Sequence, residues 1–244
     1  MYLVYLAAGR GSRLPKNYRK KPKCMTKIKN KTIFERNINF FKFFKKKIIV
    51  TGYKKQVLKK YIKEFNFKEI VNKDYKKTNM VHSLLLAKNH IKDKTDIVVC
   101  YGDIIFDINI LKFFQNKNKN KNLMPVNKNW LKYWKKRFRS NMIKNDAEDI
   151  TIKKGELISI GARIGKNFPS QQFMGIFKIS YKTFKKMGSI YLKNSNKKID
   201  MTSFINLCIK NKEIKFKTKT YSKMWYEIDN LKDIKIAEKE ISRW

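Results

Sequence analysis

The stretch Tyr2-Leu-Val-Tyr-Leu6-Ala7-Ala8-Gly9-Arg10-Gly11-Ser12-Arg13-Leu14-Pro15 decides how the rest of the chain is read. Five largely apolar residues running into two alanines and a glycine predict a short buried strand that opens into a tight polar loop. Working outward, Thr32 to Phe44 carries Ile33, Phe34, Ile38 and Phe41 at helical spacing. Thr32 suits its N-cap and Glu35 completes a capping box. Ile48-Ile49-Val50 predicts a second strand, Lys55 to Glu64 a helix and Glu69 to Val71 a third strand. Asn79 to Ile91 predicts another helix. Asp96 to Cys100 predicts a fourth strand, ending at Gly102-Asp103. Strands alternating with amphipathic helices imply an α/β fold with a mixed, mostly parallel sheet flanked by helices. Ligands of such sheets sit beyond the carboxyl ends of the strands. The loop after Leu6 and the turn at Gly102-Asp103 both lie at such ends.

The second half is less regular. Gln115 to Asn122 is low in complexity and predicts an exposed loop. Strands at Ile150–Lys153 and Leu157–Ile160 flank a turn at Lys154-Gly155-Glu156. Together with a strand at Phe173–Ile179 they predict a small β-rich insert. Helices are expected near Tyr181–Leu192 and Asp200–Lys210. Strands follow at Ile214–Lys217 and Trp225–Ile228, and a terminal helix from Asn230 to residue 242. No Gly-, Pro- or Ser-rich linker divides the 244 residues, so residues 1–244 are expected to form one domain.

The charge is extreme, with 59 basic against 19 acidic residues and a net +40. That suggests a polyanion ligand, but only eight of the basic residues are arginines. Lysines spread nearly evenly along the chain read as solvated faces, and phosphate recognition favours the arginine fork. No specific nucleic-acid partner is expected. The three cysteines, Cys24, Cys100 and Cys208, lack metal-ligand or redox spacing and predict reduced thiols in a cytoplasmic protein. No apolar run is long enough to span a membrane.

The loop from Gly9 is built for phosphate: glycines expose backbone N–H groups, and Arg10 and Arg13 add cationic forks. It is neither a Walker A loop, since no G-K-[ST] follows, nor a dinucleotide fingerprint, since Leu14 stands where the third glycine would. The longer string, with Pro22-Lys23 eight residues on, resembles the nucleotidyltransferase family that joins an NTP to a phosphorylated small molecule. Gly102-Asp103, Asn79-Met-Val-His-Ser83, Phe173-Met-Gly175 and Trp225-Tyr-Glu227-Ile-Asp229 extend that resemblance along the chain. Length and the last of these motifs make it most similar to phosphocholine cytidylyltransferases and their relatives.

The resemblance implies a Rossmann-like fold. It implies Mg²⁺-dependent transfer of CMP from CTP to a small phosphorylated or phosphonate acceptor, such as phosphocholine, phosphoethanolamine, aminoethylphosphonate or phosphoglutamine, for surface glycan or lipid decoration. Asp103 and Asp229 would hold the metal. Arg13 and Lys23 would be catalytic, neutralising the phosphates. Leu6, Ala7, Ala8, Gly9, Arg10, Gly11, Ser12, Asn79, Ser83, Tyr101 and Gly102 would bind the nucleotide. Residues 127–172 and 190–222 would form the acceptor side, with Trp130, Gly175, Trp225 and Glu227 as candidates to touch the acceptor. Aromatic faces would suit a quaternary ammonium, although Trp130 and Trp134, four apart, equally suit the apolar face of a short helix. Asp146, Glu148, Asp149, Asp200 and Glu227 are candidate partners for an ammonium. A homodimer is compatible with the resemblance. The rivals are a sugar-1-phosphate enzyme using UTP or dTTP, and a catalytically idle polyanion-binding domain. A metal-dependent glycosyltransferase lacks its D-x-D signature here, because Asp103 and Asp107 stand four apart. Asp107 is expected to cap the next helix.

Overall fold

The structure is a computed structural model that describes residues 1–92, 94–115 and 122–241. The interior of the low-complexity run, residues 116–121, and the end of the terminal helix at residue 242 lie outside these.

Tyr2–Leu6 sits at the centre of a parallel group. Lys46–Thr51 lies on one side, Ile97–Tyr101 on the other, and Lys68–Val71 at the edge. Leu6 stands opposite both Val50 and Tyr101, so the carboxyl ends of three strands finish level. The apolar runs explain the burial: residues 3–6, 48–50 and 97–100 are covered on both faces, as a central parallel strand requires. Edge-to-face and tilted ring contacts among Tyr5, Phe34 and Phe41, with ring centroids 4.9–5.8 Å apart, fill one face.

The sheet continues through Ile176–Ile179, Leu123–Asn127, Lys217–Tyr221, Glu156–Arg163 and Glu148–Lys153. The β-rich insert is therefore an extension of the same sheet, ten-stranded among the described residues. Lys154 and Gly155 both have positive φ, 47° and 71°, which fits the hairpin turn read there.

Several elements depart from the sequence reading. The helix expected over Thr32–Phe44 is two pieces, Ile33–Arg36 and Ile38–Lys42. Asn37, buried between them, donates its side-chain amide to the Ile104 carbonyl at 2.8 Å. The strand expected over Phe173–Ile179 is interrupted at Gly175, where φ is +73°, leaving Gln172–Phe173 and Ile176–Ile179. The strand placed at Ile214–Lys217 instead begins at Lys217 and runs to Tyr221. Ile104–Phe106, unforeseen, pairs antiparallel with Trp225–Glu227. That small ribbon matters most, because it delivers Asp103 and Asp229 to one place. The Ile228 N–H donates to the Asp103 carbonyl at 2.9 Å and ties the two ends together.

Candidate active site

The loop after Leu6 folds back on the turn Lys23–Met25, and the Lys23 N–H points at the Gly9 carbonyl. Gly11 has φ +66°, and a Cβ there would lie 3.2 Å from Lys23 Cγ, so this position favours glycine for conformation and space alike. Gly102 has a different reason: a Cβ would lie 2.5 Å from the Leu6 carbonyl oxygen. The two neighbouring strand ends close only because that position has no side chain.

Lys23 lies between two carboxylates. Its ammonium is 2.6 Å from Asp103 Oδ2 and also meets Asp229 Oδ1. Burial alone would lower the Lys23 pKa, but Asp103, Asp229 and Glu227 outweigh it and hold the amine charged. Burial alone would raise Asp229, but Lys23 and Arg13 keep its carboxyl below the usual value. Arg13 reaches Asp229 at 2.8 Å. Glu227 goes the other way: burial first, then the nearby Asp229 and Asp103 charges, push it up to about 8.

Asp103, Glu227 and Asp229 each offer an oxygen within 4.8 Å of the others. Asp103 Oδ1 is buried without a hydrogen-bond partner among the described residues. An oxygen-only ligand set with an unsatisfied lone pair, already drawn around one cation, fits a hard divalent ion.

Two cavities flank this cluster. The first, of about 140 Å³, is lined by Leu6, Ala7, Ala8, Gly9, Lys23 and Asp103, together with Asn79, Ser83 and Gly102. Around Gly9 there is open space on the side where a Cβ would sit. Sequence reasoning missed Asn72, which is buried at the back of this cavity and donates to Ser83 Oγ at 3.0 Å and Thr78 Oγ1 at 3.1 Å. Arg10, Gly11, Ser12 and Tyr101 do not line it. Arg10 is exposed with its guanidinium over Tyr53, 5.9 Å from the ring centre. Gly11 packs against Leu14 and Lys23, Ser12 is exposed, and Tyr101 lines the second cavity.

The second cavity, of about 260 Å³, is lined by Arg13, Tyr101, Gly175, Trp225, Glu227 and Asp229, among others. From the stretches read as the acceptor side come Trp134, Asp146, Glu148 and Gln172, then Asp200 and Thr202. Met80 lines both cavities, so the Lys23 cluster stands at their junction. Trp130 must be corrected: it is 1% exposed, donates its indole N–H to the Pro169 carbonyl, and does not line this cavity. It belongs to the apolar face of the helix Trp130–Arg137. Trp225 and Trp134 do line the cavity but stack on each other at 5.3 Å. Asp107 accepts from the Asn109 N–H at 2.8 Å, the capping role expected of it.

Arg137 was also missed as a site residue. It is buried on the same helix, 2.8 Å from Asp233 and 3.5 Å from Asp229, and its guanidinium lies over Trp134. Asp233 in turn accepts from the N–H groups of Asp229 and Asn230. Arg137 and Asp233 thus fix the backbone and carboxylate of Asp229. The scarcity of arginine was the signal that could have exposed it.

Comparison with known proteins identifies the family and the fold. Residues 3–139 match the MobA-like NTP transferase domain. Over 97% of its length, and 98% of the relative's, the chain is 31% identical to a CTP:phosphoglutamine cytidylyltransferase of Campylobacter jejuni. About half of the chain is 36% identical to a quarter of the bifunctional protein GlmU of Buchnera aphidicola. In fold it is similar to the inositol-1-phosphate CTP transferase of T. maritima, with TM-score 0.75, 18% identity and coverage of 99% and 96% of the two chains. A CTP:phosphocholine cytidylyltransferase of Streptococcus pneumoniae aligns with TM-score 0.73 and 18% identity over 98% of both chains. Family, full-length relative and fold agree, and the chain belongs to the MobA-like NTP transferase family of nucleotidyltransferases.

Proposed function

We propose that the protein is a cytidylyltransferase that moves CMP from CTP to a small phosphorylated acceptor and releases pyrophosphate. Phosphoglutamine is the first acceptor to test, for surface glycan or lipid decoration. The observation that carries this reading is the position of Lys23, held by Asp103 and Asp229 where the two cavities meet. The full-length relative supports CTP and the acceptor class.

In the reaction an acceptor phosphate oxygen attacks the α-phosphorus of CTP. A new P–O bond forms as the bond to the β-phosphate breaks, and pyrophosphate leaves. Two anions must approach each other, so the protein's work is positioning and charge neutralisation. The nucleotide occupies the first cavity, with the backbone at Ala8 and Gly9 against its phosphates and Asn72, Asn79 and Ser83 near the base. The acceptor enters the second, where Arg13 and Lys23 counter the charge at the reacting centre. Mg²⁺ held by Asp103 and Asp229, with Glu227 alongside, would supply further neutralisation of the phosphates when bound. One domain spanning both cavities suits this division of labour. Buried, unpaired Cys24, Cys100 and Cys208 suit the cytoplasm, and no helix among the described residues is long and apolar enough to cross a membrane.

Pyrophosphate release with CTP, UTP and dTTP tests the reading across phosphoglutamine, phosphoethanolamine, phosphocholine and sugar 1-phosphates. Turnover is expected with CTP and a phosphorylated small acceptor. Preferential use of UTP or dTTP with a sugar 1-phosphate would replace it.

A further inference from the structure

Resting on the cytidylyl-transfer reading, the geometry points to Glu148, with the Tyr101 hydroxyl lining the same cavity, as the site that receives a primary ammonium group of the acceptor in the second cavity. The chain carries net +40 with only 19 acids, yet five of them, Asp146, Glu148, Asp200, Glu227 and Asp229, line this one cavity. Three are answered by cations. Arg137 lies 3.6 Å from Asp146, 3.7 Å from Glu227 and 3.5 Å from Asp229. Glu148 and Asp200 have no ion pair among the described residues.

Both carboxylates converge on the Thr202 hydroxyl, at 2.9 Å each. A hydroxyl has one proton and can donate to only one of them. Asp200 is otherwise satisfied, because it caps the helix Met201–Lys210 and accepts the Ser203 N–H at 2.8 Å. Glu148 is the acid left under-supplied. Burial pushes its carboxyl up, and the neighbouring Asp200 and Asp146 charges add to this.

Tyr101 is an independent sign of a ligand. It lines the same cavity, is 7% exposed, and its hydroxyl is buried with no hydrogen-bond partner among the described residues. Of the charges acting on that hydroxyl, Glu148 is the strongest. An orphaned buried hydroxyl and an under-supplied carboxylate on one cavity call for a group that donates at least two hydrogen bonds and carries positive charge. A primary ammonium does both, while a quaternary ammonium has no N–H to give. The two tryptophans of this cavity are engaged, with Trp134 stacked on Trp225 and covered by Arg137.

Calorimetric titration with Mg²⁺ and α,β-methylene-CTP present, which needs no turnover, tests this. The ligands are phosphoethanolamine and phosphoglutamine, their counterparts with hydrogen in place of the amino group, and phosphocholine. At least one amine-bearing ligand should bind at least ~10-fold more tightly than its amine-free counterpart, and phosphoethanolamine more tightly than phosphocholine. Glu148→Gln should erase about 10- to 100-fold of that preference, the range for one charge-assisted hydrogen bond. Tyr101→Phe, which keeps the ring, should erase a smaller part in the same direction. Equal binding with and without the amine, no binding of any amine-bearing ligand, phosphocholine binding as tightly as phosphoethanolamine, or variants that weaken both members of a pair alike would each overturn the assignment. Whether CMP is transferred at all is read separately, as pyrophosphate release from CTP.

Discussion

At Lys23 an amine rests against Asp103 and Asp229, where a divalent cation would also be drawn. In the absence of metal it keeps two close carboxylates from repelling each other. Removing metal with a chelator should therefore abolish pyrophosphate release while moving the melting temperature little. Lys23→Met should lower kcat by at least ~10²-fold, as for other groups that stabilise developing charge. The same variant should make the melting temperature of chelated protein more sensitive to rising pH, since the acids lose their internal cation. Arg137 gives a second test. Truncation to Ala would leave Asp233 buried without its cation and take one of three cations from Asp229, and should cost about 3–5 kcal/mol in a urea melt. Arg137→Lys should recover only part of this, because an ammonium cannot replace the fork that meets Asp233 through two nitrogens. Neither residue's partners were visible in the sequence. Lys23 was picked out by its Pro-Lys context. Arg137 was recognisable only as one of eight arginines, because Asp229 and Asp233 lie more than ninety residues away.

Among the elements, those governed by local chemistry were legible. The Thr32–Glu35 capping box forms as read: the Glu35 N–H donates to Thr32 Oγ1 at 3.1 Å, and the Thr32 N–H donates to Glu35 Oε2 at 2.7 Å. Burial by itself would raise the Glu35 carboxyl, but the Thr32 bonds and the Tyr61 hydroxyl outweigh it and hold it below its usual value. A carboxyl depressed in the folded state stabilises above its unfolded pKa. That contribution is lost as pH falls through the folded value. Thr32→Ala should cost about 1 kcal/mol at neutral pH. The gap to wild type should narrow on acidification below about pH 4.5, the unfolded carboxyl range; denaturant melts at pH 7 and pH 3 would show it. What the sequence hid was non-local. Asn37 breaks its helix to reach Ile104, and Ile104–Phe106 becomes a strand only because Trp225–Glu227, over a hundred residues on, pairs with it. Gly175 interrupts a strand because its φ is positive and a Cβ would lie 2.9 Å from the Tyr101 ring, a neighbour that sequence spacing does not reveal.

For the molecule as a whole, the parallel centre of the sheet was readable from its apolar runs, and so was the placement of the first loop at the strand ends. The continuity of the β-rich insert with that sheet was not, since it depends on Lys217–Tyr221 pairing parallel to Leu123–Asn127. Charge is distributed unevenly: lysines are spread along the whole chain, while five of the 19 acids line the second cavity. Excess positive charge speeds the capture of anions and is screened by salt. KM for CTP is expected to rise as KCl goes from 20 to 200 mM with kcat nearly constant. Binding to RNA in a filter assay should vanish over the same range, as nonspecific phosphate contacts do. The central claim is that Asp103 and Asp229 together support Mg²⁺-dependent transfer of CMP. The most direct measurement is pyrophosphate release from CTP with phosphoglutamine, made on wild type, Asp103→Asn and Asp229→Asn at matched folding by circular dichroism. The account predicts turnover in the wild type and at least ~10²-fold less in each variant. Near-normal Mg²⁺-dependent turnover in both variants would contradict it.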